Sequence, residues 1–140
     1  MTRDVNDMTY IDCYLVPVPH ANKVRYEQLA RISAEAAREC GALRTVECWL
    51  DEAGPDGSTY HAESARGPSD TYATFRAAAG AGEDETVVMS WVEWPDKRSR
   101  DEGMERLTAD PRMQFDGLGH VFDGSRLIAG GFCPMETGNV

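Results

Sequence analysis

Hydrophobic and polar residues alternate in four segments of the chain, and this alternation predicts four β-strands. The strand segments, each rich in aromatic and β-branched residues, are 9–18, 43–50, 85–94 and 126–133. Two other segments carry apolar residues at a spacing of three or four and predict helices. The helical segments are 23–40 and 97–108.

Residues with special backbone or hydrogen-bonding preferences mark the ends of the predicted helices. Asn22 and Asp96 can each accept a backbone N–H at a helix start. Gly41 stands where a left-handed residue would end the first helix. The Asp110-Pro111 pair ends the second helix, because a residue before proline is pushed out of the helical conformation.

The connection between the second and third strands differs in composition from the rest of the chain. Residues 51–82 are dominated by Gly, Ser, Asp, Ala and Pro, with a helical turn expected around 72–78. A connection of this length is either functional or partly mobile. Residues 1–8 are expected to form a short polar N-terminal segment.

The order of these elements is β-α-β-loop-β-α-β. It predicts a single domain over residues 1–140 with an α+β, ferredoxin-like fold: an antiparallel sheet with helices on one face. The other face of such a sheet is bare, and a bare apolar face usually finds a partner. We therefore expect a homodimer that packs sheet to sheet.

Five segments of the sequence, taken together and in order, carry a resemblance to a known family. They are T-Y-I-D-C-Y-L-V-P-V-P, G-A-L-R-T-V-E-C, E-D-E-T-V-V-M-S-W-V-E-W-P, A-D-P-R-M and F-D-G-S-R-L-I-A-G-G-F. The chain resembles the YbaA-like family of small, uncharacterised bacterial proteins from Tyr10 to Phe132. The resemblance implies a dimeric α+β barrel and implies no reaction. The wider barrel class includes cofactor-free oxygenases, cyclases, isomerases and haem-degrading enzymes, an analogy of fold alone.

Alternate residues of a strand point to opposite faces, so each predicted strand divides into two sets. We assign the small and aliphatic set, which includes Cys13, Cys48 and Val88, to the core beneath the helices. We assign the aromatic and ionisable set to the face shared in the dimer. A register error of one residue would reverse the assignment of a strand.

The aromatic and ionisable face is the candidate active site. Three carboxylates would stand there, those of Asp12, Glu47 and Glu93, and His120 could reach the same cavity from its loop. Burial among aromatic rings raises the pKa of a carboxyl group, as a general acid or base at neutral pH requires. The residues expected to bind a flat apolar substrate there are Tyr10, Tyr14, Trp49, Met89, Trp91, Arg126 and Phe132. Alternatively, Arg126 and other arginines pair with these acids across the interface, without catalysis.

Charge and missing motifs exclude several classes of function. With 14 Lys and Arg against 24 Asp and Glu, the net charge is -10, which argues against binding nucleic acid or an anionic membrane. No apolar run approaches the roughly 20 residues of a membrane span, and residues 1–8 lack the apolar core of a signal peptide, so a cytoplasmic location is expected. No metal-ligand or nucleotide-binding motif is present, so we expect no metal or cofactor; the single loop histidine leaves haem ligation open.

Two hypotheses follow. The first is a metal-independent small-molecule enzyme, a cyclase, isomerase or cofactor-free oxygenase, in which Asp12 or Glu93 moves a proton. On that hypothesis, Asp12→Asn abolishes turnover and leaves the dimer intact. The alternative is a non-catalytic homodimer that binds a ligand or a protein partner.

Overall fold

A computed structural model of the chain describes residues 9–114 and 120–136. The strands in this part are β1 (Tyr10–Pro19), β2 (Arg44–Trp49), β3 (Glu85–Trp94) and β4 (Ile128–Phe132). The α-helices are α1 (Lys23–Glu39), α2 (Phe75–Ala79) and α3 (Lys97–Ala109). The predicted N-terminal segment 1–8 lies outside the described residues.

The sheet has the strand order β2-β3-β1-β4, and every neighbouring pair is antiparallel. Helices α1 and α3 pack on the same face of the sheet. This is the predicted ferredoxin-like α+β architecture, the protomer fold of the dimeric α+β barrel class. We call the side that carries α1 and α3 the helix side, and the opposite side the open face.

Two hydrophobic clusters join the helices to the sheet. The first surrounds Trp94, which is fully buried against Ala36, Ala37 and Leu107. Helix α3 approaches this ring closely because it carries glycine at 103: a Cβ atom there would overlap the Trp94 ring and lie 2.7 Å from the carbonyl oxygen of Cys40. The buried residues of the second cluster are Val16, Val18, Tyr26, Val88 and Val121.

Three of the four predicted helix boundaries are confirmed. Asp96 accepts a hydrogen bond from the Ser99 amide at 2.7 Å, Gly41 has φ +110°, and α3 ends at Ala109. The expected capping role of Asn22 is wrong. A 3-10 turn leads directly into α1, and the Asn22 amide instead donates to the carbonyl oxygen of Val121 at 2.9 Å.

The long connection 51–82 is folded into short turns rather than an open loop. The Asp56 carboxylate accepts hydrogen bonds from the Ser58 amide at 3.0 Å and the Ser69 hydroxyl at 2.8 Å. The Tyr72 hydroxyl accepts one from the Gly67 amide at 2.6 Å. The helical turn expected at 72–78 is α2. These contacts give the connection a defined surface against the sheet.

The pairing register corrects the predicted division of the sheet into two faces. Residues directly opposite each other in neighbouring strands share a face. The assignments of β3 and β4 are confirmed: Met89, Trp91 and Glu93 lie on the open face, with Ile128 and Phe132. The assignments of β1 and β2 are wrong. The residues of these strands that face the helices are Tyr10, Asp12, Tyr14, Thr45, Glu47 and Trp49.

The reason lies in the apolar run at the end of β1. Residues 15–18 are apolar at every position, so they show no alternation, and Val16 and Val18 are the buried pair. Cys13 and Cys48 consequently lie on the open face rather than beneath the helices. Cys40 lies in the core at the end of α1.

Candidate active site between the helices and the sheet

A cavity of about 270 Å³ lies between α1, α3 and the helix side of the sheet. We call it the helix-side cavity. Its walls are mostly apolar or aromatic, and Tyr14, Glu47 and Ser90 contribute polar groups from three strands. The apolar walls include Leu29, Met104, Leu107, Met113 and Phe122.

Tyr14, Ser90 and Glu47 form one transverse row across the sheet. Tyr14 on β1 is opposite Ser90 on β3, and Ser90 is opposite Glu47 on β2. Neighbouring strands are about 4.8 Å apart, so the backbones at Tyr14 and Glu47 are roughly 9–10 Å apart. The buried Ser90 lies between them on the cavity floor.

Glu47 contacts hydroxyl groups rather than a cation. The Tyr26 hydroxyl donates to its Oε2 at 2.9 Å, and Ser90 lies directly opposite Glu47 on β3. Burial raises the pKa of Glu47, an effect that the neighbouring Tyr26 and Ser90 hydroxyls oppose. Among the described residues, no ion pair includes Glu47. Because β2 is an edge strand, Glu47 is exposed to solvent, although protein surrounds part of its carboxylate, so a proton or a substrate can reach it.

Two tyrosine hydroxyls stay protonated beside this carboxylate. Burial, and next the charge of Asp12, raise the pKa of Tyr14 to about 12. Burial and Glu47 raise the pKa of Tyr26 still further. The Tyr14 hydroxyl makes no hydrogen bond within the described part of the chain, so at neutral pH it is a donor without an acceptor.

Aromatic rings cluster at one end of the helix-side cavity, which Tyr26 and Phe122 line. The Tyr26 ring centroid lies 5.9 Å from that of Phe122 and 5.3 Å from that of Trp49, which lies beyond the cavity lining. The Lys23 ammonium sits 4.8 Å from the Trp49 ring centroid. The Asn22 side-chain amide, just before α1, donates a hydrogen bond to the carbonyl oxygen of Val121. This contact fixes the position of the next residue, Phe122.

Asp12 faces the helix side but lies outside the helix-side cavity. It is 4% exposed and accepts hydrogen bonds from Trp94 Nε1 at 3.1 Å and Arg100 Nε at 3.0 Å. Tyr10, also predicted as a substrate contact, packs against the Trp94 cluster and lies so close to residue 131 that only glycine fits there.

The remaining predicted site residues lie elsewhere. Glu93 is on the open face, where Trp91 Nε1 donates to it at 3.0 Å and Arg44 lies 3.9 Å away. Arg126 pairs with Glu85 at 2.8 and 3.0 Å and joins the starts of β3 and β4. His120 is exposed, and its carbonyl accepts a long hydrogen bond of 3.4 Å from Asn22. The four predicted acid–base residues therefore do not meet in one site.

The open face carries a second, larger cavity that sequence reasoning missed. It measures about 820 Å³ and lies between the connection 51–82 and strands β2 and β3. We call it the loop-side cavity. Met89 lines it together with Tyr60, Phe75 and a stacked pair, His61 and Tyr72, whose ring centroids are 4.6 Å apart. The only available signal was the presence of aromatic residues in a Gly- and Ser-rich segment.

The described residues contain no cluster of three or more His, Cys, Asp or Glu side chains placed to hold a metal ion. No helix in this part of the chain is long and apolar enough to span a bilayer.

Comparison with known proteins identifies the family. Residues 9–124 match the model of the family described as "Protein of unknown function (DUF1428)". The chain belongs to this family. It is 40% identical over 125 residues to the uncharacterized protein YbaA of Escherichia coli K12 and to that of Shigella flexneri, covering 89% of this chain and 95% of the relative.

A solved structure shares the fold at low sequence identity. It is a mutant of SnoaB, a cofactor-independent oxygenase from Streptomyces nogalater. The TM-score is 0.50 and the identity 16%, over 94% of this chain and 96% of that one. This likeness supports the architecture, and the resemblance inferred from the five sequence segments is confirmed by the family match.

Proposed function

We propose that the chain is a small-molecule enzyme in which Glu47 removes a proton from a carbon next to a carbonyl group. The observation that carries this proposal is the position of Glu47 in the helix-side cavity: a carboxylate with a raised pKa that accepts a hydrogen bond from Tyr26 and lies beside Ser90. A carboxylate in this setting is a stronger base than one in water, and its pKa is closer to the pH at which it works.

The proposed step makes an enolate. The Glu47 carboxylate accepts the proton, and the electron pair of the C–H bond moves to the carbonyl oxygen. Returning the proton at another carbon isomerises the substrate, and attack of the enolate on a second carbonyl cyclises it. Reaction of the enolate with dioxygen oxygenates it, and the description of SnoaB as a cofactor-independent oxygenase is compatible with this last outcome.

The test uses 2-tetralone, a bicyclic ketone with an acidic C–H next to its carbonyl. Proton–deuterium exchange at that carbon is followed by NMR in D₂O under nitrogen. General acid–base catalysis contributes about 10²–10⁴-fold, so we expect Glu47→Gln to lower the enzyme-dependent exchange by about that factor. Glu93→Gln, on the opposite face of the sheet, is the matched control and should exchange at the wild-type rate. Equal exchange by Glu47→Gln and wild type would disprove the proposal.

We also propose that two copies associate through the open face. Phe132, Ile128 and Met89 on this face are 56%, 50% and 38% exposed, and apolar patches of this kind usually mark an interface. The cytoplasmic location and the absence of nucleic-acid binding stay predictions from the sequence.

A further inference from the structure

The described residues that line the helix-side cavity carry negative charge and no positive charge. Glu47 is its carboxylate, and none of the described residues that line it is Lys, Arg or His. A ligand with a carboxylate or phosphate group would find no cation among these lining residues, since the Lys23 ammonium lies over the Trp49 ring outside them, and it would lie beside a negative charge. Like charges repel strongly where protein has replaced part of the water.

The same cavity holds a hydrogen-bond donor that the protein does not use. The Tyr14 hydroxyl hydrogen-bonds with none of the described residues, whereas the Tyr26 hydroxyl donates to Glu47. Tyr14 and Glu47 stand at opposite ends of the transverse row. A flat molecule above Ser90 would contact both residues at once.

We infer that the substrate is an uncharged, flat carbonyl compound of one or two fused rings, bound with its oxygen at the Tyr14 hydroxyl and its acidic C–H at Glu47. This inference rests on the proposed function and names its substrate class. Tyr14 becomes the residue that stabilises the enolate oxygen, because a fixed donor aimed at developing negative charge lowers the barrier. The cavity of about 270 Å³ is smaller than the roughly 300–1,000 Å³ of sites for drug-sized ligands, which favours a compound of one or two rings.

The experiment uses 2-naphthol, a flat analogue of the enol of 2-tetralone, and 2-naphthoate, which has the same rings and a negative charge. Binding of each to the full-length protein is measured by calorimetry at neutral pH. One hydrogen bond contributes about 0.5–1.5 kcal/mol, so we expect Tyr14→Phe to weaken 2-naphthol binding by about 3- to 10-fold. We expect 2-naphthoate to bind wild type at least about 10-fold more weakly than 2-naphthol, and Glu47→Gln to narrow that difference, because it removes the like charge.

Tyr60→Ala, in the loop-side cavity, is the control for the place of binding. It should leave 2-naphthol affinity unchanged. The inference is overturned if 2-naphthol does not bind, if Tyr14→Phe binds it as well as wild type does, if wild type binds both compounds equally, or if Tyr60→Ala alone loses it. A failure of the proposed function would give a different result. The two compounds would bind as expected, but deuterium exchange into 2-tetralone would not depend on Glu47.

Discussion

The guanidinium Nε of Arg100 on α3 lies 3.0 Å from Oδ2 of Asp12 on β1. The indole Nε1 of Trp94, at the end of β3, donates to the same oxygen at 3.1 Å. One carboxylate therefore connects two central strands to a helix. Asp12 is nearly inaccessible, whereas the Arg100 side chain is 31% exposed and also contacts Asp101.

This arrangement predicts that Asp12→Asn lowers stability. Removing one partner of a fully buried pair costs about 3–5 kcal/mol; because water reaches Arg100, we expect about 2–3 kcal/mol here. The measurement is urea unfolding, with Asp101→Asn as the control, since that exposed pair contributes at most about 1 kcal/mol. Equal unfolding midpoints for the two variants would contradict the structural role of Asp12.

The close approach of α3 to Trp94 predicts that Gly103→Ala is destabilising. Alanine favours a helix over glycine by about 1 kcal/mol, so helix propensity alone predicts the opposite sign. The added methyl group would overlap the Trp94 ring, and overpacking costs typically about 1–3 kcal/mol or more. Thermal unfolding measures the difference. Gly124→Ala is the control, because a Cβ there has no atom within 4 Å; a stabilised Gly103→Ala variant would show that α3 lies farther from the sheet.

The raised pKa of Glu47 predicts the sign of a pH effect on stability. The folded pKa lies above the unfolded value of about 4.3, so folding favours the protonated form. The stabilisation is complete below the unfolded pKa and is lost as pH rises through the folded pKa. Glu47→Gln should therefore gain stability relative to wild type between acidic and neutral pH, by an amount that solvent at the edge strand reduces. Urea titrations at several pH values measure this, and a difference that stays constant with pH would refute it.

The proposed interface on the open face predicts that a charged residue placed there prevents two copies from associating. Phe132→Asp places a carboxylate on the proposed interface and should convert dimer to monomer at micromolar concentration, because burying an unpaired charge is costly. Sedimentation velocity measures the mass. Val24→Asp, at a 67% exposed position of α1, should leave the mass unchanged. A wild-type protein that sediments as a monomer, or a Phe132→Asp variant that remains a dimer, would exclude this interface.

The order and bounds of the elements could be predicted from the sequence because they depend on local chemistry. Strand and helix periodicity is a property of neighbouring residues. Asp96 caps the helix that begins at the next residue, and Gly41 lies two residues beyond the end of α1. The ferredoxin-like topology follows from that order. The 270 Å³ volume between helix and sheet could not be predicted, because it depends on how closely α1 and α3 approach the strands.

The composition of the candidate site was predicted only in part. Glu47, Tyr14 and Trp49 were singled out from the sequence and do lie on one side of the sheet, but on the helix side rather than the open face. The error follows from assuming that an acidic residue avoids the helix-packed face. Asp12 pairs with Arg100, which is 88 residues away in the sequence, and Glu47 accepts a hydrogen bond from Tyr26. The alternation of apolar and polar residues does not reveal either contact.

β1 is a central strand of the sheet, and the side chains on both of its faces have defined positions: Tyr14 faces the helices and Leu15 faces away from them. Deleting one residue from this strand would exchange its two sets of side chains. Tyr14 would leave the row with Glu47, and apolar groups would leave the proposed interface. Inserting residues between Gly54 and Gly67 would change only the rim of the larger pocket. Natural length variation in relatives should therefore concentrate in that connection and spare β1.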